Sequence, residues 1–147
     1  MPLIYREMSA PGERKLIARE GERLRAYQDQ RGIWTDGIGH SSLAGDGAKV
    51  GPGTVITQAQ AEAQLLQDLR PREKLLNSWL KRQATQNQFD AMDSLMFNVG
   101  DGAFKGSAVL HLFNLGDIHG AAAAFMHFDH PISLTGRRED EMKQFLS

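Results

Sequence analysis

The sequence of 147 residues has no cysteine, only 7% aromatic residues and no excess of charge of either sign. Without cysteine there is no disulfide scaffold, no thiol nucleophile and no thiolate metal site. The 17 Lys and Arg residues nearly balance the 18 Asp and Glu residues, and the net charge of -1 argues against a nucleic-acid-binding protein. A chain of this length buries enough surface to fold without a metal or a disulfide.

Long apolar runs are also missing. No stretch approaches the roughly 18 apolar residues that a membrane span requires, and residues 2–7 lack the apolar run of a signal peptide. We therefore expect a monomer that is made in the cytoplasm, does not insert stably into membranes, and depends on another agent for release if it acts elsewhere.

Capping residues and apolar spacing predict helices on both sides of a glycine-rich segment. Ser9 is typical of an N-cap, and Gly21 of the residue that ends a helix. Residues 21–57 are rich in glycine and predict a small twisted sheet, with strand-like residues 33–35. Further helices are predicted after the capping boxes Thr57/Gln60 and Thr85/Gln88, with a kink at Pro71, and over residues 107–115, 117–128 and 135–146.

This order of elements predicts an α+β fold in one domain, residues 1–147. Residues 21–57 form a small β lobe and residues 58–80 a long connecting helix. Residues 1–20 and 81–147 form a larger, all-helical lobe.

Two carboxylates in the glycine-rich region have environments that suit different chemical roles. Glu20 falls in the last turn of the first helix, where the negative end of the macrodipole favours the protonated form. Asp29 precedes a turn in an open, polar position, where it stays ionised, and Thr35 supplies a hydroxyl that can hold a water. Such a pair is what glycosidic bond cleavage requires. Because acidic residues at helix ends and turns are common, the spacing alone leaves a purely structural interpretation open.

The residues from Glu20 to Ser41 match the pattern EGxxLxAYxDxxGxxTxGxGHS, with eight residues between Glu20 and Asp29 and five between Asp29 and Thr35. This pattern resembles the phage-type lysozymes, the endolysins and muramidases of glycoside hydrolase family 24. Residues 53–69, 85–104 and 136–146 also resemble the family, in its order along the chain.

The resemblance implies the phage-type lysozyme fold, with the active site between the two lobes and no metal or organic cofactor. It also implies hydrolysis of the β-1,4 bond between N-acetylmuramic acid and N-acetylglucosamine in the peptidoglycan glycan strand. Glu20 is then the general acid, and Asp29 with Thr35 positions and activates water. An inverting outcome, as in T-even phage relatives, predicts carboxyl groups about 6.5–9.5 Å apart. The protein is expected in the host cytoplasm until a holin releases it to the periplasmic peptidoglycan.

The resemblance also implies four supporting residues. His40 and Asp68 correspond to an ion pair between the β lobe and the connecting helix. Arg137 corresponds to an arginine that reaches back toward the catalytic glutamate, where its charge opposes the effect of the helix dipole. Asn98 corresponds to a polar cleft position. For Arg137 and Arg138 the alternative is a solvated helix face.

Asp36 departs from the family, in which an apolar residue usually follows the catalytic threonine. Because burial of a lone carboxylate is costly, we expect Asp36 to be exposed or paired with a base such as Arg31 or Lys49.

Two alternatives to a hydrolase remain open. A lytic transglycosylase uses one acidic catalyst and leaves an anhydro-muramic end, and the presence of both Asp29 and Thr35 favours hydrolysis over it. An inactive wall-binding module is the other, and the intact set of three residues argues against it.

Overall fold

The computed structural model describes residues 2–29, 31–41 and 50–147. The chain divides into two compact units. The smaller unit is Arg14–Pro71, and the larger unit is Met1–Glu13 together with Arg72–Ser147. Helices and a small sheet make up an α+β fold, as predicted. Within the described residues, no helix is both long enough and apolar enough to cross a membrane.

A three-stranded antiparallel sheet lies in the smaller unit. Its strands, in spatial order, are β1 (Arg23–Gln28), β2 (Trp34–Gly37) and β3 (His40–Ser41). The register between β1 and β2 is irregular from Arg23 to Tyr27. An isolated bridge joins Arg25 to Val55 beyond the named strands. A small sheet is therefore present in the segment where the sequence predicts one.

The first helix, α1 (Ala10–Glu20), has the limits that its sequence predicts. The Ser9 hydroxyl accepts a hydrogen bond from the Gly12 amide at 3.1 Å, which satisfies one of the amides left free at a helix start. At the other end, Gly21 has φ of 73° and donates its amide to the Ile17 carbonyl at 2.7 Å. The αL conformation at Gly21 ends the helix directly after Glu20.

The long helix α2 (Gln58–Trp79) starts at a complete capping box. The Thr57 amide donates to Gln60 Oε1 at 2.8 Å, and the Gln60 amide donates to Thr57 Oγ1 at 3.1 Å. The helix continues through Pro71. A proline in a helix interior removes one backbone hydrogen bond, but packing over a helix of this length compensates for the loss.

Gly37, at the end of β2, is required by both conformation and space. Its φ is 56°, and a Cβ atom built there would lie 2.7 Å from Gln64 Oε1 and 3.3 Å from the Ile56 side chain. A side chain at this position would require the Gln64 side chain to move, and the positive φ strains most residues other than glycine.

The larger unit contains the remaining helices and most of the apolar core. The helices are α3 (Gln86–Val99), α4 (Asp101–Lys105), α5 (Ala108–Leu115), α6 (Ile118–Ala124) and α7 (Thr135–Leu146), with 3₁₀ turns at Phe125–Phe128 and Ile132–Leu134. Phe145 of α7 is buried and packs edge-on against Phe113, with ring centroids 6.2 Å apart. Aromatic packing of this kind fixes α7 against the helices before it.

Two elements of the larger unit differ from the sequence prediction. The short helix α4 was not predicted, since its five residues between Gly100 and Gly106 are too few to show a periodic pattern. The helix predicted over 117–128 is divided into α6 and the 3₁₀ turn Phe125–Phe128. Tightening of a final turn into 3₁₀ geometry is common at helix ends.

The extended residues before α1 are held by side chains of α2 and α3. Asn77 accepts a hydrogen bond from the Arg6 amide at 3.0 Å and donates to the Arg6 carbonyl at 2.8 Å. The Met8 amide donates to Glu73 at 2.7 Å, and the Ser9 hydroxyl bonds Asp90. These side chains satisfy backbone groups that no sheet or helix pairs.

Candidate active site

The smaller unit contains the three residues to which the sequence assigns chemistry. Glu20 is the last residue of α1 and is half-buried. Its role as the proton donor remains a prediction.

Asp29 follows β1 and is fixed by the turn that begins there. Its Oδ1 accepts hydrogen bonds from the backbone amides of Arg31 at 2.8 Å and Ile33 at 2.9 Å. Its Oδ2 lies 3.4 Å from the Arg31 guanidinium. Gly32 closes the turn with φ of 77° and donates its amide to the Asp29 carbonyl.

These contacts determine the ionisation of Asp29. Desolvation raises the pKa of the carboxyl group, but the amides of Ile33 and Arg31 and the charge of Arg31 together outweigh it and hold the pKa below its usual value. Asp29 is therefore an anion at neutral pH whose side chain still has 25% of its surface exposed. Such a carboxylate can accept a proton from water.

Thr35 lies in β2 and is 5% exposed. Its hydroxyl donates a hydrogen bond to the Ile33 carbonyl at 3.0 Å. Because that bond uses the only proton of the hydroxyl, Thr35 Oγ1 acts as an acceptor toward any further partner.

Tyr27 lies in β1 of the same unit. It is the cross-strand partner of Thr35 in the β1–β2 ladder, and directly opposed residues place their side chains on the same face. Partial burial raises the pKa of Tyr27, the charge of Arg23 lowers it, and the charges of Glu20 and Asp29 both raise it further. The charges of Glu20 and Asp29 thus both contribute to the raised pKa of Tyr27.

Arg23 packs on this tyrosine. Its guanidinium carbon lies 4.4 Å from the centroid of the Tyr27 ring, within cation–π distance. The contact covers one face of the ring and leaves the hydroxyl as the group that Tyr27 can offer to a ligand.

His40 and Asp68 form the predicted pair. His40 Nδ1 lies 2.8 Å from Asp68 Oδ2, and the two side chains are 0% and 7% exposed. The pair joins β3 to α2. Its contribution to function remains a prediction.

Asp36 is 0% exposed, so the expectation that it lies at the surface is wrong. Its Cα partner across the β2–β3 ladder is His40, which is also buried. Packing of the sheet against other residues buries this position, and the alternation pattern of a four-residue strand cannot reveal that. Arg31, one of the two bases suggested for it, lies on Asp29 instead; Lys49 is outside the described residues.

The other supporting residues lie in the larger unit and form a buried polar network. Glu141 accepts a hydrogen bond from the Ser94 hydroxyl at 2.6 Å and forms ion pairs with Arg137 at 3.3 Å and Arg138 at 3.2 Å. Arg138 also bonds the amide oxygen of Asn98, which is exposed. The side chains of Arg137 and Arg138 are 10% and 0% exposed, so the alternative of a solvated helix face is wrong.

Within the smaller unit, Asp29 and Thr35 both bond the backbone of Ile33, and Thr35 is the cross-strand partner of Tyr27. That Glu20 acts together with them remains a prediction. Arg137 and Asn98 belong to the network around Glu141. The approach of Arg137 to Glu20 and the cleft role of Asn98 remain predictions.

Sequence reasoning assigned no role to Tyr27 or Glu141. For Tyr27 a signal was available, because residues two apart on a strand share a face and Tyr27 precedes Asp29 by two. For Glu141 the spacing of four from Arg137 allows a helical ion pair, but nothing in the sequence predicts that the pair is buried.

Comparison with known proteins shows which family the chain resembles. A family model described as phage lysozyme matches residues 18–141. The endolysin of Salmonella phage P22 is 41% identical over 145 residues, which cover 96% of this chain and 99% of that protein.

Two further solved structures are similar to the chain. An endolysin from Escherichia coli O157:H7 phage FAHEc1 superposes with a TM-score of 0.89 at 31% identity, covering 98% of this chain and 96% of that one. The muramidase domain of SpmX from Asticaccaulis excentricus superposes with a TM-score of 0.83 at 33% identity, covering 96% and 98%.

Proposed function

The chain belongs to the phage lysozyme family, and we propose that it hydrolyses the β-1,4 bond between N-acetylmuramic acid and N-acetylglucosamine in peptidoglycan. Similar proteins are named endolysins, and one solved relative is named a muramidase domain. These names support peptidoglycan as the substrate class. The muramidase name supports the choice of bond, and the carboxylate site supports glycoside hydrolysis.

In the proposed reaction, Glu20 donates its proton to the glycosidic oxygen as the bond from that oxygen to C1 breaks. A water on the opposite face of the sugar forms the new bond to C1 and transfers a proton to Asp29. Thr35 accepts the second hydrogen bond of that water. The proton lost by Glu20 and the one gained by Asp29 balance the step, and no metal or organic cofactor takes part.

One observation carries the proposal: two backbone amides orient the partly exposed carboxylate of Asp29, and the carbonyl of Ile33, whose amide is one of the two, accepts the hydroxyl of Thr35. Two carboxylates in one site with different environments are the requirement for acid and base roles in glycoside hydrolysis. A binding module has no need for a second carboxylate that is kept ionised beside the first.

The decisive experiment is the release of soluble saccharide from purified peptidoglycan by wild type, Glu20→Gln and the matched control Glu22→Gln. Loss of the acid is expected to reduce the rate by about 10²–10⁴-fold, while Glu22→Gln retains activity. Circular dichroism establishes that both variants are folded. Full activity of Glu20→Gln would remove Glu20 from its assigned role, and inactive wild type would favour a wall-binding module.

A transglycosylase is distinguished by the product. Digestion in H₂¹⁸O is expected to add one ¹⁸O atom to each new reducing end, and mass spectrometry measures it. An anhydro-muramic end without added water would contradict hydrolysis. NMR identifies the anomer that forms first, and inversion at a β-1,4 bond predicts the α anomer.

We further infer that the protein accumulates in the host cytoplasm and reaches periplasmic peptidoglycan after a holin opens the membrane. Expression with and without a co-expressed holin tests this directly. Lysis only in the presence of the holin is expected, and equal lysis without it would contradict the inference.

A further inference from the structure

The proposed function requires a water with a defined orientation, and its hydrogen-bond partners can be counted. A water has two protons and two lone pairs, and one lone pair must point at C1 of the sugar. Asp29 is ionised and only accepts hydrogen bonds. Thr35 donates its proton to the Ile33 carbonyl, so it too only accepts.

Asp29 and Thr35 therefore account for both protons of the water and leave its second lone pair without a donor. A water held by two acceptors alone can rotate about the line between them, so that its nucleophilic lone pair is not fixed. A donor on the same face of the hairpin would complete the tetrahedral arrangement.

Tyr27 is placed to be that donor. It is the partner of Thr35 across the β1–β2 ladder, so these two side chains belong to one face of the hairpin. Asp29 begins the turn two residues later, and its amide donates to the same Ile33 carbonyl that accepts the Thr35 hydroxyl. The guanidinium of Arg23, 4.4 Å from the ring centroid, holds the ring and covers one of its faces. The half-buried ring therefore has little freedom to turn its hydroxyl away.

We propose that Tyr27 is a water-positioning residue: its hydroxyl donates a hydrogen bond to the attacking water held by Asp29 and Thr35, and Arg23 fixes its ring. The proposal rests on the proposed hydrolytic function and adds a residue to that site. A phenol is protonated at neutral pH, as a donor must be, and burial raises the pKa of Tyr27 further.

The test is the variant Tyr27→Phe, which keeps the ring and its contact with Arg23 but removes the hydroxyl. With soluble glycan strands as substrate, kcat is expected to fall on the order of tenfold, the usual effect of losing one such hydrogen bond. KM is expected to stay unchanged because the hydroxyl contacts the water and not the glycan. Tyr5 is the other tyrosine of the chain and is 57% exposed, so Tyr5→Phe is the matched control and keeps wild-type kcat.

A double-mutant cycle separates positioning from a merely structural effect. If Tyr27 and Thr35 hold the same water, Tyr27→Phe in a Thr35→Val background reduces kcat less than it does in wild type. Multiplicative losses, a change confined to KM, or wild-type kcat in Tyr27→Phe would each overturn the proposal.

The same assay in H₂¹⁸O keeps the two hypotheses apart. If wild type incorporates ¹⁸O and Tyr27→Phe equals it in rate, the role of Tyr27 is wrong and hydrolysis stands. If wild type yields products without ¹⁸O, the proposed function itself fails.

Discussion

Two charged sites, one in each unit of the molecule, present their side chains in opposite ways. In the larger unit, Glu141 and Arg138 are fully buried and ion-paired with each other, and Ser94 and Arg137 also bond Glu141. In the smaller unit, Asp29 is held by backbone amides through one oxygen while part of its side chain stays exposed. Charges paired within the protein stabilise a fold, whereas a charge that is oriented but still accessible is available to a substrate.

The comparison predicts that the largest effect on stability comes from the larger unit. Glu141→Ala leaves the buried guanidinium of Arg138 without its carboxylate partner, and is expected to lower the free energy of unfolding by about 3–5 kcal/mol. Glu139→Ala, at an exposed position of the same helix, is the control and changes it little. Chemical denaturation measures both. Equal stability of the two variants would show that the network is not what holds α7.

The buried pair of the smaller unit is expected to have an intermediate effect. Asp68→Asn replaces the charged partner of His40 by an amide, and removal of a buried hydrogen bond to a charged group costs about 1.5–3 kcal/mol. Glu62→Gln, exposed on the same helix, serves as control. Faster hydrogen exchange of the β3 amides is expected, because the pair stabilises the smaller unit. Faster exchange in α3 instead would contradict a stabilising effect confined to that unit.

The smallest effect concerns Asp29 and pH. The pKa of Asp29 is lowered in the folded state. Ionised Asp29 therefore stabilises the fold fully at pH values above its pKa in the unfolded chain, and this contribution is lost as the pH falls through its pKa in the folded protein. Arg31→Gln is expected to raise the Asp29 pKa toward its usual value and to weaken this dependence, while the two amide bonds remain. The ¹³C chemical shift of the Asp29 carboxyl group, measured against pH in both proteins, gives the pKa. An unchanged pKa would assign the shift to the amides alone.

Local features of the fold were predictable because their causes are local. The caps at Ser9, Thr57 and Thr85 satisfy amides within three residues, and the structure contains all three. Glycine ends α1 and α5 where the sequence predicts it. Caps and terminal glycines can be recognised from neighbouring residues alone, without information on how the helices pack.

The candidate site was predictable only in part. The family resemblance of residues 20–41 indicates the chemistry, whereas the spacing of Glu20, Asp29 and Thr35 alone leaves a structural interpretation open. Arg138 is fully buried, so its solvated alternative is wrong, and for Asp36 burial excludes only the exposed one of its two expected states. Hydrophobicity and spacing contain no information on packing against residues distant in the chain, so neither burial is predictable from the sequence.

Gly37 and Gly32 differ in how far evolution can change them. Both have positive φ, but a Cβ at position 32 meets nothing within 4 Å, whereas at position 37 it meets α2. Asparagine tolerates the left-handed conformation, so the Asp29 turn can drift to that residue among descendants of this gene. At position 37 the same change would also displace the Gln64 side chain, so the close approach of the Thr35 strand to the long helix favours glycine there.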